Sequence, residues 1–196
     1  MARLGVALSL RRKAQPNNMK LLLSTILFVF STFFCIPTFG EKADKDKPIS
    51  LSSEKASFDD VRQIYHLEKD VLLIKGTLII RGESAEVKID PEGYQLATIK
   101  AKTGTLASLK QKRDTGYDEY IEGFAEWIEY DAKLETATLV GKAQMNKLAG
   151  TKISDRINGD RIQYDSANEK YQALSSALVK STLSSRRKDL SGNIKK

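Results

Sequence analysis

Gly159-Asp160-Arg161-Ile162-Gln163-Tyr164-Asp165 reads small, acidic, any, apolar, polar, aromatic, acidic. The pattern returns as Ala125-Glu126-Trp127-Ile128-Glu129-Tyr130-Asp131 and as Ser53-Glu54-Lys55-Ala56-Ser57-Phe58-Asp59. A weaker copy, Gly82-Glu83-Ser84-Ala85-Glu86-Val87-Lys88, puts Val87 in the aromatic place and loses the final acid. Alternation by two sets Ile162 with Tyr164, and Ile128 with Tyr130, on one face of a strand. A helix would place such a pair about 200° apart and bury nothing coherent. The heptad is therefore a strand signature. Its spacing suggests a unit of roughly 30 to 45 residues used about four times, each copy burying its apolar face against a neighbour.

Working outward, short runs of alternating character follow one another from Ile49 to Leu174. They are separated by turn material such as Lys75-Gly76, Asp90-Pro91-Glu92-Gly93, Asp131-Ala132-Lys133 and Ala149-Gly150. No stretch holds a 3.6-residue period over a helix length. The expectation is an all-β fold: an antiparallel sandwich, jellyroll or barrel with two faces converging on an apolar interior.

The chain has 196 residues, enough for one domain, and a formal charge of +7. Residues 1–40 hold Arg3, Arg11, Arg12, Lys13 and Lys20 and no acid, which accounts for +5 of it. The remainder is close to neutral, so the basicity is a targeting feature and not a nucleic-acid footprint. Met19-Lys20, the apolar run Leu21–Ile36 and the ending Pro37-Thr38-Phe39-Gly40 read as a signal peptide cleaved before Glu41, with Met19 a second candidate start. The alternative is a retained anchor, but about 16 apolar residues are few for a span of about 20. The one cysteine, Cys35, lies in this run, so the exported domain has no disulfide or cysteine-metal framework. The predicted organisation is a signal peptide over 1–40, a charged flexible linker over 41–48, the β-domain over 49–179 and a mobile basic tail over 180–196.

Catalytic chemistry finds little support. His66 is the single histidine, placed beside Leu67 with no nucleophile partner, and reads as a surface strand residue. No metal cluster, phosphate loop or nucleophile elbow is present, and no cofactor is expected. The heptad acids Glu54, Glu83, Glu126 and Asp160 could serve glycoside chemistry. Their recurrence at one place per unit favours an architectural role, with each carboxylate accepting hydrogen bonds from a turn's backbone. Tyr130 and Tyr164 share a face with an acid, which argues against stacking on nucleic acid. The apolar interior is either a closed core or a greasy groove, and alternation serves both.

Ordered through the chain are Pro48-Ile49-Ser50-Leu51-Ser52-Ser53-Glu54, Gly104 to Leu109, Glu122-Gly123-Phe124-Ala125, and Leu139-Val140-Gly141-Lys142-Ala143 leading to Ile157–Tyr164. In this order and spacing the chain resembles the OstA-like family of lipopolysaccharide-transport proteins, over about residues 49–175. It departs at one hairpin, where Lys69-Asp70 precedes Val71 and the family usually carries Gly-Asn. The resemblance implies a twisted antiparallel β-jellyroll in the periplasm whose groove shields lipid A acyl chains. It also implies end-to-end self-association and partnership with inner-membrane and outer-membrane transport proteins through edge strands. An inner-membrane-anchored component of the same pathway is the alternative. Each buried methylene is worth about 0.8 kcal/mol, so moving such cargo onward needs an energy source in another protein. Alternation and the family's inward residues together give the candidate lipid-binding positions: Ile49, Leu51, Leu73, Ile80, Leu109, Phe124, Ile128, Tyr130, Leu139, Met145, Ile162 and Tyr164.

Overall fold

Twelve strands, all paired antiparallel, make up the folded domain of the computed structural model, which describes residues 44–116 and 118–184. They are Ile49–Ser52 (β1), Lys55–Asp59 (β2), Ile64–Lys75 (β3), Leu78–Ile89 (β4), Gln95–Lys100 (β5), Ala107–Lys112 (β6), Glu119–Ala125 (β7), Trp127–Asp131 (β8), Thr136–Ala149 (β9), Lys152–Asp165 (β10), Lys170–Leu174 (β11) and Lys180–Leu183 (β12). The expected signal peptide lies outside the described residues.

Four strands are long, and each changes partner halfway. β3 pairs with β2 through Ile64–Glu68 and with β1 through Leu72–Lys75. β4 pairs with β6 at Ile79–Arg81 and with β5 at Ser84–Ile89. β9 gives its first half to β8 and its second to β7. β10 gives its first half to β12 and its second to β11. The ladder is thereby split into two layers. One contains β2, β5, β8 and β11, the other β1, β6, β7 and β12, and the four long strands run through both.

The backbone chemistry at the crossings explains the split. β3 crosses at Lys69 and Asp70, with φ of 64° and 49°, and β9 crosses at Gly141 and Lys142, with φ of 77° and 48°. Two consecutive left-handed residues bend a strand and insert extra length, as a bulge does. Lys69-Asp70 thus holds a conformation that glycine and asparagine enter more easily. β4 and β10 cross at Gly82 and Gly159. A Cβ on Gly82 would lie 2.7 Å from the Lys100 carbonyl oxygen, and one on Gly159 2.8 Å from that of Leu174. Only glycine lets the neighbouring strand end there.

Every heptad begins at one of these crossings. Glu54 N–H donates to the Lys69 carbonyl at 3.0 Å, and Glu126 N–H donates to the Gly141 carbonyl at 2.9 Å. The carboxylates of the same two residues reach Lys69 Nζ at 3.5 Å and Lys142 Nζ at 2.8 Å. Asp160 accepts from Ser176 N–H at 2.6 Å. That backbone bond, aided by the serine hydroxyls, holds its carboxyl below the usual range. Three of the four heptad acids are thus fastened at corners, Glu54 and Glu126 by lysines and Asp160 by a backbone N–H of the expected kind.

The repeat itself differs from the expected four copies. Residues 49–59 and 64–75 recur structurally 72 positions later as 121–131 and 136–147, with the same pairing (Ile49 opposes Lys75 as Ile121 opposes Lys147). The unit is six strands, β1–β6, repeated as β7–β12. Each unit carries two heptads, and this doubled the apparent count. β5 joins β8 and β6 joins β7 at the seam between the units.

Two boundaries also move. Lys180–Leu183 pairs with Asp155–Asn158, so the sheet continues into the segment read as basic tail. Asp44, read as flexible linker, is 5% exposed. It accepts from Thr77 N–H at 2.8 Å, from the Thr77 hydroxyl and from Gln111 Nε2 at 3.3 Å. Its charge looked like linker composition, but it satisfies donors at the β3–β4 turn.

Candidate functional site

The two layers press their inward faces together. A Cβ on Gly123 of β7 would lie 2.6 Å from Leu139 Cδ2 of β9, which belongs to the other layer at that point. Nine of the twelve candidate residues are buried between the layers: Leu73, Ile80, Leu109, Ile128, Tyr130, Leu139, Met145, Ile162 and Tyr164, none more than 4% exposed. They form one continuous apolar cluster with Leu67, Val87, Ile99 and Ile121. In this conformation the middle of the interior is closed.

Ile49 and Leu51 are placed differently. They are half-buried on β1, at the edge of the sheet, and pack against the cluster from one end. With Tyr65, Val87, Ile89 and Gln95 they line an apolar cleft of about 320 Å³. β1 supplies one wall and the opposing layer the other, so this is where the interior opens. A smaller cavity of about 30 Å³ lies at the other end, among Ile121, Met145, Ile157, Tyr171 and Leu183. Phe124 belongs to neither. Ile121, Gly123 and Ala125 of β7 are buried, so alternation turns Phe124 to the opposite face, paired with Ser108 and Gln144. Around Phe124 the inward phase is carried by Gly123 and Ala125, which give little apolar signal, and Ile121 alone marks it.

Sequence reading also missed a set of polar side chains at the mouth between the layers. Arg113, just after β6, bonds Glu119 Oε2 of β7 at 2.8 Å and Glu169 Oε2 of the β10–β11 turn at 2.6 Å. It is 9% exposed and joins one layer to the other. Burial raises the Glu119 carboxyl, but the Thr115 hydroxyl, Lys147 and Arg113 outweigh it and hold it below the usual range. Nearby, burial pushes the Tyr130 phenol up, and the negative charges of Glu135, Asp44 and Asp131 add to the effect. Residues so far apart in sequence carried no common motif.

His66 lies on the outward face of β3, 3.8 Å from Glu86 and half exposed. Among the described residues no group of three or more His, Cys, Asp or Glu is placed to hold a metal, and no helix is long and apolar enough to cross a membrane. The arrangement is suited to enclosing apolar material.

Comparison with known proteins agrees with that chemistry. Residues 50–170 match the family described as LptA/(LptD N-terminal domain) LPS transport protein. The lipopolysaccharide export system protein LptA of Haemophilus influenzae is 25% identical over 156 residues, covering 79% of this chain and 87% of that protein. In three dimensions the chain is similar to LptH of Pseudomonas aeruginosa, described as the LptA-homologous periplasmic component of the lipopolysaccharide transport device. That match has a TM-score of 0.64 and 18% identity, and covers 72% of this chain and 99% of the other.

Proposed function

The chain belongs to the LptA/LptD N-terminal domain family of LPS transport proteins, and from this we propose that it is a periplasmic, non-enzymatic carrier of lipopolysaccharide within the bridge from inner to outer membrane. The relatives found carry the names LptA and LptH, which favours the periplasmic component over an anchored one. The observation that carries the reading is the two-layered interior, apolar at its centre and open at the β1 edge.

Acyl chains enter at the cleft beside Ile49 and Leu51, and the buried candidates beyond it become lipid-facing as the layers part. Each methylene withdrawn from water gains about 0.8 kcal/mol, so a few chains suffice to offset separation of an apolar interface. The free edges β1/β2 and β11/β12 are where neighbouring transport proteins, or further copies of this chain, add strands.

Two substitutions test the site. Leu51→Asp places a carboxylate at the open cleft, where water still reaches it. The fold survives with a small shift in melting temperature, while photo-crosslinking of lipopolysaccharide to the cleft falls severalfold. Ile128→Asp buries an unpaired charge at the closed centre and is expected to unfold the domain. Crosslinking unaffected by Leu51→Asp, in a folded protein, would exclude the cleft as the entry point.

A further inference from the structure

The inward face of the layer that holds β1, β6, β7 and β12 changes character from its depth to its rim. Strand pairing lets two transverse rows be followed across it. The deeper row passes from Leu51 through Leu73, Ile80 and Leu109 to Gly123 and Met145, and is apolar. The row beside it, two residues nearer the turns, sets Ile49 opposite Lys75 and Ile121 opposite Lys147. Both lysines continue the inward phase of their strands, after Val71 and Leu73 in β3 and after Ala143 and Met145 in β9. Each six-strand unit thus carries one lysine on the inward rim, at equivalent positions.

The two lysines are provided for differently. Lys147 Nζ lies 3.4 Å from Glu119 Oε2, and Asp155 stands opposite on β10. In the first unit the position equivalent to Glu119 is Lys47, and the residue opposite Lys75 is Leu78. Lys75 is 5% exposed, and among the described residues its ammonium forms no hydrogen bond or ion pair. The carboxylate of Asp44 lies against the next residue, Gly76, but its oxygens are taken by Thr77 N–H, the Thr77 hydroxyl and Gln111 Nε2. A lysine is almost never so buried unless paired, because an ammonium withdrawn from water without a partner is costly. A repeated position that keeps the cation and replaces both acids is arranged to take its negative charge from outside. Resting on the carrier reading above, we propose that Lys75, assisted by Lys47, recognises the headgroup phosphate of an amphiphile whose acyl chains enter at the β1 cleft.

The placement suits such a ligand. Ile49, the partner of Lys75, lines that cleft with Leu51 and Tyr65. A chain lying on Leu51 and Leu73 brings the head of the molecule to the rim row, about 7 Å further along the strands. There the compact charge of an ammonium on its flexible stem can follow a phosphate, and the bond it makes is charge-assisted. Lys47 is exposed just before β1 and adds a second cation on the approach. The equivalent lysine of the second unit is neutralised by its own acid and serves the fold.

Displacement of a fluorescent acyl probe from the purified protein tests the site, with phosphorylated lipid A and the same lipid A stripped of its phosphates as competitors. The parent should take the phosphorylated form about tenfold more tightly, as one hydrogen bond between charged groups provides. Raised salt should narrow the difference. Lys75→Met keeps the apolar stem; it should abolish the preference and leave the affinity for the stripped lipid unchanged. Lys75→Arg should retain most of the preference, and Lys147→Met should leave it as in the parent. Lys47→Glu, at an exposed position that does not put the fold at stake, restores the acid that the second unit carries and should lower the preference severalfold. A preference unchanged in folded Lys75→Met, or in Lys47→Glu should Lys75→Met fail to fold, would overturn the site and leave lipid carriage standing. Equal loss of both lipids in a Lys75→Met protein that melts as the parent does would overturn it too, since the side chain would then only shape the cleft. Inorganic phosphate alone should not raise the melting temperature of the parent above that of Lys75→Met; such a rise would assign the site to a free anion and overturn the headgroup reading. A parent from which neither lipid displaces the probe would overturn the carrier reading itself, and this site with it.

Discussion

Tyr130 shows what one side chain carries here. It is the sixth residue of its heptad, it is buried at the closed centre, and the negative charges of Glu135, Asp44 and Asp131 act on its phenol. Burial, and then Glu135, Asp44 and Asp131, raise its phenol above the ordinary value of 10. In the unfolded chain the phenol ionises near pH 10, whereas in the folded domain it stays protonated. The folded state therefore binds the extra proton, and stability falls as pH rises past 10. Tyr130→Phe removes the titrating group and keeps the ring. Melting temperatures of the variant should fall less than those of the parent between about pH 9.5 and 11, and should differ little at pH 7. Parallel curves would mean that other groups govern alkaline unfolding. The glycines matter at the same scale and in the opposite sense. Gly82 and Gly159 act through the side chain they lack, because any Cβ would meet a carbonyl under 3 Å away. Heptad letters showed where small residues stand, but the strand end they accommodate appears only in three dimensions.

Among the elements, strands were legible wherever alternation was clean. β8, with Ile128 and Tyr130 inward, and the ends of β4 and β10 fall where the heptads place them. β12 was not read as a strand, because an edge strand buries little and so shows weak alternation: it is exposed along its whole length. The long strands were read as pairs of short ones because their crossings, left-handed residues in β3 and β9 and a glycine in β4 and β10, look like turns. Lys69-Asp70 is a bend within one element and not a loop between two. The contact that ties the layers at the mouth was invisible, since Arg113 and Glu169 are brought together only by folding. Arg113→Ala would leave Glu119 and Glu169 without their shared partner. Breaking a fully buried pair costs about 3–5 kcal/mol. Both carboxylates retain some access to water, so about 2–3 kcal/mol is expected here. Urea denaturation at pH 7 measures it as a lowered midpoint with unchanged slope. Arg113→Lys should recover only part, because one ammonium cannot fork to two carboxylates as a guanidinium does. A midpoint within error of the parent would show that the layers are held by the apolar faces alone.

At the scale of the folded domain, the family's architecture was legible because its heptads mark the crossings, while the two-fold repeat was not, because each unit contains two heptads of similar strength. What holds the units together can be asked directly. They are covalently linked only through the segment between β6 and β7. Otherwise the seam consists of the β5–β8 and β6–β7 ladders and the interior they cover, where Ile99 opposes Ile128 and Leu109 opposes Gly123. Those apolar residues are 0–1% exposed, so parting the units would uncover them to water. A protease site inserted after Gly116 falls on this connection between β6 and β7. Cleavage of the folded protein should leave both fragments eluting together at the parent size, because burial and strand pairing at the seam outweigh the entropy of release. The fragments should separate in urea, and on dilution they should regain the parent melting temperature only as total concentration rises, since rejoining has become bimolecular. Fragments that part at once in native buffer would mean that the seam is held by its linker. The free edges, which share its geometry without any linker, would then lose their physical basis for pairing.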